Sequence, residues 1–158
     1  MAEALFQYKR RMEKLPDRII IYRDGVGDGQ LAYIHEHELP QVNSYIAGET
    51  PKNPGWKPQL AYIVLKKRIN QRYFRINEKN EEDNPHPGTI VDSKITRRDM
   101  YDFLLVSQKV RQGTVTPVHY NIIYDTTNLD ADKFQQLTYK LTHLYYNWPG
   151  KISLMTKV

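Results

Sequence analysis

The run Arg18-Ile-Ile-Ile-Tyr-Arg23, followed at once by Asp24-Gly25-Val26-Gly27-Asp28-Gly29, constrains this chain more than any other stretch. β-Branched and aromatic residues without polar interruption read as a buried strand. The three glycines then break it. A helix is predicted from about Gln30 to Ile46, with Pro40 bending it or marking a restart. Ahead of the strand, Ala4, Leu5, Tyr8 and Met12 recur at helical spacing, and basic residues gather toward the end, where the helix dipole favours cations. A helix over Ala2–Lys14, closed by Pro16, follows.

Further along, Ala47 to Pro58 is rich in Pro and Gly and reads as a loop. Gln59–Lys66 reads as a second strand, and Tyr73-Phe74 as a short one. The polar, acidic stretch Asn77–Pro87 reads as a mobile surface loop. Gly88–Asp92, Tyr101–Val106 and His119–Tyr124 read as strands, with a turn at Gln112–Pro117. A helix is expected over Asp130–Tyr146, with Phe134, Leu137, Leu141 and Leu144 on its apolar stripe and Pro149-Gly150 as its stop. Strands and helices alternate without an internal repeat, so the class is α/β with a mixed sheet in one domain.

A chain of 158 residues is long enough to bury a core without a metal or disulfide staple. It has no cysteine, which excludes a disulfide framework and a Cys-rich zinc site. No apolar run reaches the roughly 20 residues of a membrane helix. The N-terminal sequence lacks a stretch of signal-peptide type, so secretion is not expected. The net charge of +5 permits a nucleic-acid partner without requiring one.

Two places carry candidate chemistry. Asp24 stands where the first strand meets the glycine-rich turn. A carboxylate held there suits a divalent metal ion; equally, an Asp in an Asp-Gly turn hydrogen-bonds its own backbone. Asp28 is a candidate cap for the next helix. The second place is Lys66, Lys67, Arg68, Arg72 and Arg75, with Tyr73 and Phe74 interleaved. Cations among aromatics suit phosphate contacts with stacking; a solvated strand end has the same composition. Arg97, Arg98, Lys109 and Arg111 would widen the patch if the fold gathered them. His35, His37, His86, His119 and His143 show no metal-ligand spacing, and no Gly-rich phosphate loop, nucleophile elbow or metalloprotease helix is present.

Five stretches, RIIIYRDGVGDGQL, IVLKKRINQRYF, PGTIVDSKIT, YDFLLVSQKVRQGTVTPVHYNIIYD and LTYKLTHLYYNWPG, come in the order and near the spacing of one family. Together they resemble the PIWI domain of Argonaute proteins, over residues from about 4 to 152. VRQG, VHYN and YYNWPG point to the Piwi clade. Residues 153–158 form a divergent tail, and the whole of 1–158 reads as a partial PIWI domain. The resemblance implies an incomplete RNase H-like mixed sheet flanked by helices. It implies a protein that binds small guide RNA (piRNA), silences transposon or other target RNA, and cuts a paired target with Mg²⁺ or Mn²⁺ in its intact form. Partners would be guide RNA, complementary target RNA, the rest of the Argonaute protein and Piwi-pathway proteins, with no membrane. The compartment would be perinuclear germ granules of the cytoplasm, or the nucleus.

By the same resemblance Asp24 matches the family's second catalytic aspartate, and Lys67, Arg68 and Arg72 match positions that touch the guide backbone. Asn70, Gln108, Thr116 and Asn147 replace the family's basic residues. The first aspartate and a glutamate would precede Met1, and the catalytic histidine would follow Gly150, where this chain reads KISLMTKV. His119 is not that histidine. With one catalytic group of four, the chain alone is expected not to cut RNA. The central strand of such a sheet would also lie upstream, leaving Ile19–Tyr22 as an open edge that recruits another chain. A non-cleaving guide- or protein-binding module is the alternative, and a basic α/β domain unrelated to RNA is the third reading.

Overall fold

A computed structural model describes residues 1–93, 95–96, 100–110 and 112–144, the side chain of Asp28 excepted. The backbone forms two compact units. The first is Met1–Ile63 with Ile122–Asn128; the second is Val64–Asn121 with the chain from Leu129 onward. The principal sheet has five strands in the order β1-β2-β7-β6-β5, and a second sheet pairs β3 with β4.

In the first unit, α1 (Ala2–Met12) ends where Glu13 adopts a left-handed φ of 57°, two residues short of the predicted end. Its apolar stripe is not core. Leu5 is buried, but Tyr8 and Met12 are exposed, because the helix lies on the surface. Lys9 Nζ donates to Asn53 Oδ1 at 2.9 Å, and Trp56 Nε1 donates to the Pro16 carbonyl at 2.9 Å. β1 (Arg18–Asp24) follows, and every residue from Ile19 to Asp24 is half-buried. The predicted buried strand is therefore a half-exposed one, since it stands at the end of the strand order.

The expected helix after the glycines forms, in four pieces: a 3₁₀ turn Asp28–Gln30, α2 (Leu31–Tyr33), a π-helical turn Ile34–Glu38, and α3 (Leu39–Glu49). Proline lacks the N–H that an α-helix needs and crowds the preceding turn. The chain absorbs Pro40 by widening the turn before it, with Leu39 N–H donating to the Ile34 carbonyl. The helix neither breaks nor restarts. The capping role predicted for Asp28 lies outside the described side chains. Gln30 instead accepts the Gly27 N–H at 3.0 Å.

β2 (Gln59–Lys66) is buried from Leu60 onward. In the second unit, β5 (Thr89–Val91) pairs antiparallel with β6 (Tyr101–Val106), Thr89 opposite Val106. β7 (Val118–Asp125) supplies Tyr120, whose ring stacks on Phe103 with centroids 5.1 Å apart. Both rings are fully buried, each worth about 3–5 kcal/mol if truncated to alanine.

The sequence places the short strand two residues too early. Tyr73-Phe74 is irregular, and β3 is Arg75–Ile76, paired with β4 (Glu82–Asp83). The stretch read as a mobile loop is an ordered hairpin and anchor. Asn77 Oδ1 accepts the N–H groups of Lys79 and Glu81, both at 2.9 Å, and Asn80 takes a positive φ. Asn84 then donates to the Gly113 carbonyl and accepts the Val115 N–H.

α4 (Ala131–Leu141) starts on Asp130, whose side chain accepts the Lys133 N–H at 2.8 Å. Its buried face is Phe134, Gln135 and Thr138, continued by Thr142, while Leu144 is 68% exposed. The predicted leucine stripe is thus rotated. Gln135 explains why: its amide donates to Asp92 at 2.8 Å and to Tyr101 Oη at 2.9 Å, a polar anchor that orients the helix. Burial pushes the Tyr101 phenol up to about 12. The remainder of the predicted helix, from Tyr145, and the tail 153–158 lie outside the described residues.

Candidate nucleic-acid interface

Asp24 is the last residue of β1, and the chain leaves it through Gly25 at φ +78°, a backbone conformation glycine adopts without penalty. Its Oδ1 accepts the Gly25 N–H at 2.8 Å. This is the Asp-Gly turn contact, so that reading of Asp24 holds. It also fixes the carboxylate at a strand end, which the metal reading needs.

The neighbour that positions this turn escaped the sequence analysis. Arg23 grips Glu38 in a two-point ion pair, Nε to Oε2 at 3.0 Å and Nη2 to Oε1 at 3.1 Å. Its third nitrogen donates to the Asp24 carbonyl at 2.5 Å. Tyr62 Oη donates to Glu38 Oε2 at 2.7 Å. Bidentate charge-assisted bonds of this kind are strong and directional. The Arg23 hydrogen bond, then that of Tyr62, holds the Glu38 carboxyl below its ordinary range. Arg23 is raised by the same contact. Burial first, then Glu38, lifts the Tyr62 phenol above the usual tyrosine range. Glu38 is the last residue of the π-turn, a distortion often found beside functional sites. No spacing in the sequence links residues 23, 38 and 62; only the adjacency of Arg23 to Asp24 was visible.

The basic segment belongs to the second unit. It follows β2 as an irregular chain from Lys67 to Phe74. The five cations of the sequence separate into two groups. Lys66 is buried as the last residue of β2. Arg75 is committed to Asp83 at 2.6 Å and to the Asn84 carbonyl at 3.2 Å. Arg75 and the Asn84 N–H hold the Asp83 carboxyl below its ordinary range. Lys67 is half-buried, and Arg68 and Arg72 are exposed. Arg72 donates to the carbonyls of Ile69 at 2.8 Å and Gln71 at 2.7 Å, which stiffens the loop and keeps its guanidinium on the surface. Phe74 is 53% exposed, while the Tyr73 hydroxyl is buried without a hydrogen-bond partner among the described residues. The stacking surface foreseen for both rings is that of Phe74. Of the cations proposed to widen the patch, Lys109 is exposed; Arg97, Arg98 and Arg111 lie outside the described residues, as does Asn147.

The histidines divide as surface and structural. His35, His37, His86 and His143 are exposed. His119 Nε2 meets Asp102 Oδ2 at 2.5 Å, with Asp102 almost fully buried, and this pair ties β7 to β6. Among the described residues no three His, Cys, Asp or Glu side chains converge as a metal-ligand set. Asp24 has the hard oxygen donors that Mg²⁺ or Mn²⁺ take, but a single carboxylate is not a site for such an ion. The described residues therefore do not by themselves fit a metal centre.

The Piwi domain model matches residues 1–158. The chain belongs to the Piwi family. Over 152 residues it is 53% identical to the Piwi-like protein Ago3 of Bombyx mori, covering 96% of this chain and 16% of that protein. It is 47% identical to the protein piwi of Drosophila melanogaster over 95% of this chain and 17% of that one. The chain thus spans about a sixth of the relatives it matches. Its fold is that of the crystal structure of Drosophila Piwi, with a TM-score of 0.86 at 46% identity, over 97% of this chain and 20% of that one. The Kluyveromyces polysporus Argonaute solved with a guide RNA gives 0.85 at 28% identity, over 96% and 20%. The expected RNase H-like arrangement of a mixed sheet and helices, covering part of a PIWI domain, is what this Piwi-family chain has. Among the described residues, no helix is long and apolar enough to cross a membrane.

Proposed function

We propose that this chain is the guide-binding portion of a Piwi-clade Argonaute that holds small RNA (piRNA) and silences complementary target RNA. Lys67, Arg68 and Arg72 meet phosphates of the guide backbone, and Phe74 offers a ring for base stacking. The observation that carries the reading is the separation of the five cations. Lys66 and Arg75 are absorbed into the fold, while Arg68 and Arg72 stand exposed on a loop that Arg72 itself stiffens. Asp24 contributes one carboxylate to a nuclease site that binds Mg²⁺ or Mn²⁺ in the longer protein, its placement maintained by the Arg23–Glu38 clamp. Arg23 and Glu38 are positioning residues in that scheme.

RNA binding of the chain, measured against salt, tests the first part. Three phosphate contacts give a log–log slope of about −2, at ~0.7 per contact for a single strand. Replacing Lys67, Arg68 and Arg72 with alanine flattens it; an unchanged slope places the RNA elsewhere.

A second reading, binding without cleavage, is favoured for this chain by the absence of a ligand set among the described residues. Incubated with guide, paired target and Mg²⁺ or Mn²⁺, the chain leaves the target intact. Site-specific cutting that vanishes in Asp24→Ala would overturn that reading.

A further inference from the structure

The chain leaves β1 through Gly25 at φ +78°, and a Cβ added there would meet no atom of the described residues within 4 Å. Side-chain crowding therefore does not choose the conformation of this turn. Glycine takes positive and negative φ about equally well, so the Asp24–Gly25 peptide has two orientations open to it. A hydrogen bond on that peptide group can select one of them.

The structure shows a bond on each side of it. Its carbonyl, that of Asp24, accepts Arg23 Nη1 at 2.5 Å. Its N–H, that of Gly25, donates to Asp24 Oδ1 at 2.8 Å. The peptide is trans and planar, so its C=O and N–H point in opposite directions and turn as one body. Fixing the carbonyl aims the N–H, and the N–H holds the Asp24 side chain in one rotamer. Arg23 can fix the carbonyl because its guanidinium is a rigid fork. Glu38 takes two of the nitrogens, Nε on Oε2 at 3.0 Å and Nη2 on Oε1 at 3.1 Å, and so sets the direction of the third. Glu38 is itself tied, because its Oε2 also accepts Tyr62 Oη at 2.7 Å. Tyr62 is 3% exposed within the buried run of β2, which makes its ring the fixed end of the series. All of these residues belong to the first unit.

We propose that Tyr62 is a positioning residue for the Asp24 carboxylate, acting through Glu38, Arg23 and the plane of the Asp24–Gly25 peptide. Without the Tyr62 hydroxyl the series loses its fixed end, and the peptide turns over more freely. The inference rests on the reading of Asp24 as a nuclease carboxylate and deepens it: the side chain is held by a peptide plane whose orientation is set from β2.

Tyr62→Phe removes the hydroxyl, keeps the ring and leaves the sequence around Gly25 intact, so the intrinsic exchange rate of the Gly25 amide is unaltered. That amide should exchange about threefold faster in the variant. Three-bond NMR couplings across the Asp24 Cα–Cβ bond should move from one rotamer toward an average. Glu38→Gln, which also deprives Tyr62 of its charged acceptor, and Arg23→Lys, which keeps the charge without the fork, should each give about tenfold. The Trp56 N–H, which donates to the Asn53 carbonyl at 3.0 Å in the same unit, should keep its wild-type rate. In the longer protein, Tyr62→Phe should slow target cleavage about tenfold at unchanged guide affinity. If the wild-type longer protein does not cut, the nuclease reading fails, while the exchange rates and couplings, taken without RNA, still decide the role of Tyr62. Unchanged exchange and couplings in Tyr62→Phe would overturn the proposal, and so would Gly25 and Trp56 amides that speed up together. Should Tyr62→Phe fail to fold, Glu38→Gln carries the same two outcomes.

Discussion

The end of β1 and the segment after β2 carry charge of opposite sign, and they are held in opposite ways. Asp24 closes a strand, is pinned to the Gly25 N–H, and has at its side an arginine clamped to Glu38 and, through it, to Tyr62. Arg68 and Arg72 stand on irregular backbone, and Arg72 is steadied by carbonyls one and three residues away. The difference is the one that the proposed roles of the two regions require. A carboxylate that shares a metal ion must sit within about half an ångström of its place. A cation meeting a phosphate in water tolerates slack, because the attraction is long-ranged and non-directional.

If that contrast is right, damage to the clamp should cost folding stability, and damage to the loop should not. The largest effect is expected for Arg23→Ala. It removes both charge-assisted bonds and leaves Glu38 with Tyr62 alone. Bonds to charged groups contribute about 1.5–3 kcal/mol, and the Arg23 side chain is 43% exposed, so solvent screening brings the expected loss to about 1.5 kcal/mol by urea unfolding. A loss below about 0.3 kcal/mol would mean the clamp is ornamental.

Gly25→Ala should come next, at about 1 kcal/mol. A Cβ there meets no atom within 4 Å, so the cost is purely the left-handed φ of +78°.

Acid sharpens the same comparison. The folded Glu38 carboxyl lies below its ordinary value, so the fold favours the charged form. That contribution is complete above the unfolded-state pKa of about 4.3. It is lost as pH falls through that value and then through the folded one. The stability gap between wild type and Glu38→Gln should therefore begin to close as pH falls through about 4.3 and be gone once it lies below the folded value. A gap independent of pH would show that Glu38 acts by packing and not by charge.

The smallest effect on stability belongs to the double change Arg68→Ala with Arg72→Ala. Surface substitutions of this kind stay within about 0.5 kcal/mol. The same change should flatten the salt slope of RNA binding by about 1.4. Loss of stability without a change of slope would invert the comparison.

Local pattern was enough to find β1, β2, β6, β7 and α4, because continuous apolar runs and helical spacing are written in neighbouring residues. It was enough to place Asp24 at a strand end, since the glycines that follow can only break the strand. The five family-like stretches located the fold, which the Piwi family match bears out over the whole chain. Tertiary structure decided the rest, wherever the partner of a residue lies far along the chain. The Asp102–His119 pair joins two strands, and the clamp joins residues 23, 38 and 62. α4 turned its Gln135 and Thr138 inward because Asp92 and Tyr101 offered the amide its partners, against the leucine stripe that periodicity favoured. The acidic stretch after Phe74 became a hairpin because Asn77 and Asn84 satisfy backbone groups that composition alone marks as solvated. Five neighbouring cations looked equivalent in sequence. They differ in the folded chain because strand register buried Lys66 and the hairpin brought Asp83 to Arg75. Periodicity records which face of an element is apolar; which polar groups must find one another across the fold is fixed only when the chain is closed.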